Sequence, residues 1–223
     1  MYYGLLIIGI VLTLGAQFFV NSTYNKTKKI RNAKGITGAE AARIILDKNG
    51  LQNIKVVETK GVLSDHYDPK SKIVRLSSAV YNNPSVASIS VAAHECGHAI
   101  QHKNKYLFLM IRSTIVPLVN FSSYAGYFAI MIGFLFSVLD LVWLGIILEC
   151  VILAFQLITL PVEFNASSRA LKQIKELDML DKKEYKKGKS MLTAAAMTYV
   201  ASVATTLLEI LRLVLMVTGR RND

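Results

Sequence analysis

The clearest chemical signal in the sequence is the pattern H-E-x-x-H, which is formed by His94, Glu95 and His98. On a helix, positions i and i+4 share one face, so both imidazoles can reach one metal ion. Glu95 lies about 100° around the helix axis from His94, where it can hold a water molecule. Zinc lowers the pKa of such a water, and a glutamate can accept its proton. The pattern predicts a hydrolytic site with one zinc per chain, against the alternative of two hydrogen-bonded structural histidines.

A third protein ligand is needed to complete such a site. The metzincin spacing is excluded, because Gln101 and Asn104 stand at its glycine and histidine positions. His102 is on the same helical stripe as His94, but about 12 Å away along the axis, too far to share one ion on a straight helix. We therefore expect His102 to be exposed or to support the site indirectly.

Glu163 is the favoured third ligand, which would give a His₂Glu site with one open position. It follows an apolar hairpin that returns the chain to the side of the membrane holding His94. Pro161 is expected to break the preceding helix, so that Glu163 opens a new one. The competing interpretation is an ordinary acid in a first helical turn. The other candidate ligands are Glu149 in the middle of a span, and Glu58 and Glu40 in the soluble segment.

The composition indicates a membrane protein. Of the 223 residues, 52% are hydrophobic and 18% charged, whereas soluble domains have about 25% charged residues. A disordered chain is excluded by the high aliphatic content. We expect one membrane-embedded domain over residues 1–223, with soluble segments 21–113 and 163–190. The stretches long enough to cross the hydrocarbon core are residues 2–20, 114–138, 141–162 and 191–217.

The distribution of charge predicts which side of the membrane the site faces. The net charge is +11, and the basic residues flank the apolar stretches. A basic segment without acids, residues 26–34, follows the first span and favours the cytoplasm for that side. Contact with anionic lipids explains the basic loops better than nucleic acid does, since no binding module is present. We therefore expect a multi-pass protein of the cell membrane with a cytoplasmic site. The two cysteines, Cys96 and Cys150, do not suggest a disulfide framework.

Local signals predict the elements that position the site. Thr37 and Glu40 form a capping box for a helix that ends at Gly50. Residues 54–58 and 72–77 read as strands, with turn chemistry at residues 68–71 between them. Ser85 can cap a long helix that carries H-E-x-x-H. The predicted fold is a mainly α membrane protein. It has about four transmembrane helices and a small cytoplasmic α+β zincin-like domain, with the H-E-x-x-H helix and a short hairpin or sheet.

Three segments in this order resemble the membrane-bound gluzincin proteases: HECGH, an apolar hairpin and E-x-x-A-S. HtpX-type and CAAX-prenyl proteases show the same order. The chain is more closely similar to the bacterial YugP-like membrane zinc metallopeptidases, over its first span and the segments SDHYDPKSKIVRLS, SVAAHECGHAIQH and PVEFNASSRAL. The resemblance implies zinc-dependent peptide hydrolysis at the membrane.

The residues behind the ligands depart from the HtpX-type pattern. Those proteases place an aspartate four residues after the ligand glutamate, and this chain has Ser167 there. A serine can hydrogen-bond a ligand histidine but brings no charge, so Asn165 and Arg169 are further candidates for supporting the site. His66, just ahead of a predicted strand, could stabilise an oxyanion beside a substrate strand, or simply belong to a hydrogen-bonded turn.

These features together predict an integral membrane zinc endopeptidase in which Glu95 is the general base. Its partners would be the lipid bilayer and a peptide or membrane-protein substrate. One rival is a non-catalytic membrane scaffold or chaperone with a structural zinc site, and another is a zinc hydrolase of a non-peptide substrate. The intact Glu95 speaks against the scaffold, because a structural zinc does not need it. The charged residues within the spans, Glu149, Glu209 and Arg212, are best read as structural.

Overall fold

A computed structural model describes residues 2–61 and 64–220. The fold is mostly helical with one small sheet, as the sequence predicts. The elements in chain order are α1 (Tyr2–Lys28), α2 (Gly38–Lys48), β1 (Lys55–Thr59), β2 (His66–Asp68), β3 (Ile73–Ser77), α3 (Ser78–Tyr81), α4 (Val86–Lys103), α5 (Leu107–Leu135), α6 (Leu139–Glu176) and α7 (Lys182–Arg220).

Four helices are long and apolar enough to cross a membrane, which confirms the predicted number. They are α1, α5, α6 and α7. Three of them, α1, α6 and α7, contain their predicted spans, whereas α5 begins before residue 114 but ends at Leu135, short of the predicted residue 138. α6 continues to Glu176, and α7 already begins at Lys182. The predicted polar segment 163–190 is therefore largely helical, in keeping with its content of alanine, leucine, lysine and glutamate, which favour helices.

The expectation that Pro161 breaks a helix is wrong. Pro161 lies inside α6, and Glu163 is within this helix rather than in a first turn. A proline removes one backbone N–H, and its ring crowds the preceding turn. A break in a helix that crosses a membrane would leave several backbone groups without partners, which costs more than one lost hydrogen bond. A continuous helix through Pro161 therefore costs less free energy than a broken one.

Contacts divide the chain into two compact units. The apolar-helix unit comprises Met1–Gln17, Met110–Pro161 and Met197–Asp223, and the mixed unit comprises Phe18–Leu109 and Val162–Ala196. Within the apolar-helix unit, α5 and α6 approach closely, since a Cβ added to Gly133 would lie 2.6 Å from Val142 Cγ2. Small residues at such contacts are typical of helix packing in membranes. That the whole chain acts as a single domain stays a prediction.

The sheet of the mixed unit has the strand order β1–β3–β2. β1 and β3 correspond to the two predicted strands, but they pair in parallel and so cannot form a hairpin with each other. The predicted turn instead joins β2 to β3, which are antiparallel. Asp68 Oδ1 accepts hydrogen bonds from the backbone N–H groups of Lys70 and Ser71 at 3.0 and 3.2 Å. β2 is too short and too polar for the sequence pattern to predict.

Helix α4 runs through the hydrophobic core of the mixed unit. Its predicted cap is confirmed, because Ser85 Oγ accepts a hydrogen bond from the Ser88 N–H at 3.1 Å. The predicted capping box of Thr37 and Glu40 on α2 is also present. These caps fix where the two helices begin. The core around α4 includes the fully buried residues Ile45, Leu46, Leu76, Val80, Ile89, Ala92 and Ala93.

Candidate metal centre

His94 and His98 lie one turn apart on α4, as their spacing predicts. Their ring centroids are 4.8 Å apart and their planes are nearly perpendicular, at 85°. Both side chains are mostly buried but keep a small exposed fraction, 18% for His94 and 13% for His98. The two rings are therefore held by packing and remain within reach of solvent.

Glu163 on α6 meets both histidines. Its Oε2 lies 3.3 Å from His94 Nε2 and 3.6 Å from His98 Nε2, and the glutamate itself is buried. One donor atom from each residue lies within 4.8 Å of the other two. The structure thus brings together the three residues that the sequence analysis favours as ligands.

Two of the three distances between these donors fit zinc. In a tetrahedral site with bonds of about 2.0–2.2 Å, neighbouring donor atoms are separated by about 3.3–3.6 Å. The two distances from Glu163 Oε2 to the histidine Nε2 atoms, 3.3 and 3.6 Å, match that separation. Two imidazoles and one carboxylate form the ligand set of catalytic zinc sites that keep a fourth position for water or substrate.

A close contact between α4 and α6 brings Glu163 to the histidines. Gly97 of the H-E-x-x-H segment packs against the backbone of Ala166, and a Cβ added to Gly97 would lie 2.5 Å from the Ala166 carbonyl oxygen. Ala166 and Ala170 on the facing side of α6 are fully buried. Glu163 lies one turn before Ala166 on α6. The distance between the two helices at this contact therefore determines how close the Glu163 carboxylate comes to the histidines.

The second ring nitrogen of each histidine faces an oxygen atom. His94 Nδ1 lies 3.2 Å from Ser167 Oγ, and His98 Nδ1 lies 3.0 Å from Gln101 Oε1. A metal-binding histidine donates its remaining N–H to such an acceptor, which fixes the tautomer and the ring orientation. With a metal ion on Nε2, Nδ1 would be the donor in both rings, and both Nε2 lone pairs would face the ion. Ser167 therefore contacts the site at the place where the sequence analysis expects a supporting residue.

Gln101 is the centre of a hydrogen-bond network that the sequence analysis does not predict. It is fully buried, and its Nε2 donates to the Val162 carbonyl oxygen at 2.7 Å and to Asn165 Oδ1 at 3.0 Å. Asn165 Oδ1 also accepts a hydrogen bond from Arg169 Nε at 2.7 Å. Asn165 and Arg169 are thus connected to His98 through Gln101. Its position one turn after His98, on the same helix face, is the signal that could have identified it.

Electrostatics at His98 favour a positive charge. Burial alone would lower the pKa of His98, but the carboxylates of Glu163 and Glu95 outweigh this effect, so the pKa is raised above its usual value. Protons and metal ions compete for the same ring nitrogen. The surroundings of His98 are therefore those of a cation site.

The two residues between His94 and Gly97 have different surroundings. Glu95 is nearly buried, with 8% of its surface exposed, and its role as a base stays a prediction. Cys96 is fully buried, with its Sγ 3.6 Å from the Ala42 carbonyl oxygen on α2, and burial strongly raises the pKa of its thiol. A thiol in this state is neither a nucleophile nor a metal ligand.

The other candidate ligands, and His66, lie outside the cluster of His94, His98 and Glu163. His102 Nδ1 is 2.9 Å from the Tyr67 hydroxyl, and the exposed His66, on β2, has its Nδ1 2.8 Å from the Ser64 carbonyl oxygen. Glu40 is occupied by the capping box of α2. Among the described residues, the cluster that could hold a metal ion contains His94, His98 and Glu163, and none of His66, His102, Glu40, Glu58 or Glu149.

Comparison with known proteins identifies the family of this chain. Residues 2–218 match the family described as "Putative neutral zinc metallopeptidase". A protein of Bacillus subtilis (strain 168) named "Putative membrane protease YugP" is 46% identical over 212 residues, which cover 95% of this chain and 94% of that protein. No solved structure matches the chain. The resemblance found in the sequence segments is confirmed, and the chain belongs to the neutral zinc metallopeptidase family.

Proposed function

We propose that this protein is an integral membrane zinc-dependent endopeptidase. The observation that carries the proposal is the convergence of His94, His98 and Glu163 within reach of one ion, with Glu95 next to His94 on the same helix. Three protein ligands leave a position for water or substrate, whereas structural zinc sites are usually closed by four. This difference favours an enzyme over a scaffold or chaperone with structural zinc.

In the proposed reaction, His94, His98 and Glu163 hold one zinc per chain. When bound, zinc polarises the substrate carbonyl and lowers the pKa of water. Glu95 accepts a proton from the attacking water as its oxygen adds to the carbonyl carbon. Glu95 then passes this proton to the leaving nitrogen as the C–N bond breaks. Ser167 and Gln101 position the two histidines by accepting hydrogen bonds from their Nδ1–H groups.

The substrates proposed are peptides or membrane proteins cleaved on the cytoplasmic side. The support for this side is the basic segment after the first apolar stretch, including Lys26, Lys28 and Lys29, since positive charge next to a span favours the cytoplasm. The support for a membrane location is the four apolar helices and the relative's name, membrane protease.

Metal content and cleavage of casein or of the chain itself test this function. The full chain, purified in detergent, is compared with Glu163→Ala, Glu95→Gln and Glu176→Gln, the last altering an exposed glutamate on α6 as a matched control. We expect about one zinc per chain in the wild type and the control. Glu163→Ala should lose zinc, and Glu95→Gln should keep zinc but lose cleavage.

Two results would change the assignment. Full zinc content in Glu163→Ala would mean that the third ligand is another residue, and Glu58 or His102 would have to be tested. Unchanged cleavage in Glu95→Gln would remove the proposed base. A zinc-loaded wild type without any peptide cleavage would favour the scaffold or chaperone.

A further inference from the structure

A groove on the mixed unit lies between α6 and α7, next to the metal centre. Its volume is about 440 Å³, within the range of about 300–1,000 Å³ typical of small-molecule sites. On α6 it is lined by residues from Phe164 to Lys175 that recur at helical spacing on one face. On α7 it is lined by residues from Tyr185 to Ala196. We call this feature the α6–α7 groove.

The chemistry of the α6–α7 groove changes along its length. One end is apolar and contains Phe164 on α6 with Leu192 and Ala196 on α7. The other end is basic and contains three exposed lysines. Phe164 and Lys175 are about 16 Å apart along α6, at 1.5 Å per residue. The lysines are Lys172, Lys175 and Lys189.

The charges at the basic end are only weakly compensated nearby. Lys172 Nζ lies 3.7 Å from Glu176 Oε1, and both side chains are more than half exposed. An exposed pair of this kind contributes little. The basic end therefore remains attractive to an anion, and the groove as a whole complements a molecule with an anionic head and an apolar tail.

The direction of the groove matches that of a lipid in a bilayer. Its apolar end adjoins the parts of α6 and α7 that continue into candidate membrane spans, and its lysines lie toward the ends of the helices that are polar. A phospholipid places its tail toward the membrane core and its head away from it. Lysines at a membrane surface attract anionic lipids.

We propose that the α6–α7 groove binds an anionic phospholipid, with the headgroup at Lys172, Lys175 and Lys189 and an acyl chain along Phe164, Leu192 and Ala196. Ser167 lines the same groove and contacts His94. A bound lipid would therefore touch a residue that orients a metal ligand. The lipid site itself does not depend on the proposed peptidase activity.

Lipid retention by the full chain tests the proposal. The protein is reconstituted in phosphatidylcholine bilayers containing a minor fraction of phosphatidylglycerol, and the lipids that remain bound after extraction are counted by native mass spectrometry. The test variant is Lys172→Gln/Lys175→Gln/Lys189→Gln. The matched control, Lys182→Gln/Lys183→Gln/Lys187→Gln, removes the same charge from exposed positions of α7 outside the groove.

We expect the wild type to retain phosphatidylglycerol in preference to phosphatidylcholine. The groove variant should lose this preference by about tenfold or more, while the control changes it by less than about twofold. A photoactivatable acyl chain should cross-link near Phe164 or Leu192 in the wild type. Glycerol phosphate, which has the headgroup charge but no tail, should not displace the lipid.

Three outcomes would overturn the proposal. The first is a wild type that shows no preference for phosphatidylglycerol. The second is an equal loss in the groove variant and the control, which would indicate general attraction to the basic surface. The third is an unchanged preference for phosphatidylglycerol in the groove variant. None of these outcomes depends on whether casein is cleaved, so failure of the lipid site and failure of the peptidase are distinguishable.

Discussion

Each histidine ligand of the candidate metal centre is fixed at both ring nitrogens. Nε2 of His94 and of His98 faces Glu163 Oε2, while the two Nδ1 atoms face Ser167 Oγ and Gln101 Oε1. Both acceptors are neutral, whereas HtpX-type proteases, which this chain resembles, have an aspartate in place of Ser167. The chain therefore orients its histidines by hydrogen bonding without adding a further negative charge behind the site.

The hydroxyl of Ser167 should contribute to zinc affinity through its hydrogen bond with His94. We expect Ser167→Ala to weaken zinc binding by about tenfold, because loss of a hydrogen-bond partner of a ligand histidine typically costs about 10–100-fold in affinity. Competition with a chromophoric chelator, with the protein in detergent, measures the change. The matched control is Ser168→Ala, which alters the neighbouring exposed serine.

Retention of the hydroxyl separates positioning of His94 from general packing. Ser167→Thr should keep most of the wild-type affinity, and thermal unfolding of the metal-free protein should be similar for the serine variants. If Ser167→Ala and Ser168→Ala bound zinc equally well, Ser167 would have no positioning role.

At the scale of elements, the site depends on how closely α4 and α6 pack. The histidines come from one helix and the glutamate from another, and the two helices meet at Gly97 and Ala166. Interiors are densely packed, so a contact of this kind cannot absorb an added methyl group without movement of the backbone. Gly97 lies inside H-E-x-x-H, so the segment of α4 that carries the two histidines is also the segment that packs against α6.

A methyl group at Gly97 should separate the ligands. We expect Gly97→Ala to destabilise the protein by about 1–3 kcal/mol through overpacking, and to weaken zinc binding because α6 moves Glu163 away from the histidines. Thermal unfolding and chelator competition measure the two effects. The control is Gly15→Ala, since a Cβ at Gly15 would have no atom within 4 Å.

The relation between the two readouts identifies the cause. Loss of zinc affinity in a variant that is destabilised but still unfolds in one cooperative transition would support displacement of Glu163. Wild-type stability and wild-type zinc affinity in Gly97→Ala would contradict the close contact between the helices.

At the scale of the whole molecule, the chain combines four apolar helices with a unit that holds the candidate metal ligands. Two basic segments, the one after the first apolar stretch and the one at the start of α7, favour the cytoplasm by the positive-inside rule. The turn between α5 and α6 carries no basic residue. The expected topology therefore has both basic segments in the cytoplasm and this turn outside.

Cysteine labelling in intact cells tests this topology. In a Cys150→Ala background, we expect Phe136→Cys to react with a membrane-impermeant maleimide and Lys183→Cys to be protected, because Phe136 is in the turn between α5 and α6 and Lys183 is in the basic start of α7. The native Cys96 is fully buried and should stay unlabelled. Both introduced cysteines should react after lysis. Labelling of Lys183→Cys alone in intact cells would place the basic segments outside and reverse the topology.

Features that depend on neighbouring residues could be predicted from the sequence. The i, i+4 spacing of His94 and His98 puts both rings on one helix face, the caps at Thr37 and Ser85 fix where two helices begin, and long uncharged stretches define the candidate spans. Each of these follows from interactions within one or two turns, or from the composition of a single segment. Local spacing therefore predicts two of the three candidate metal ligands without any knowledge of the fold.

Contacts between residues far apart in the chain became visible in the folded protein. The sequence pattern alone left Glu58, Glu40 and Glu149 as alternatives to Glu163. It assigned no role to Gln101. It also could not show that β1 and β3 pair in parallel, or that α6 continues through Pro161. These features depend on the packing of segments far apart in the chain, where a glycine such as Gly97 sets the distance between two helices. That distance, which no local pattern contains, is what brings a carboxylate to two imidazoles.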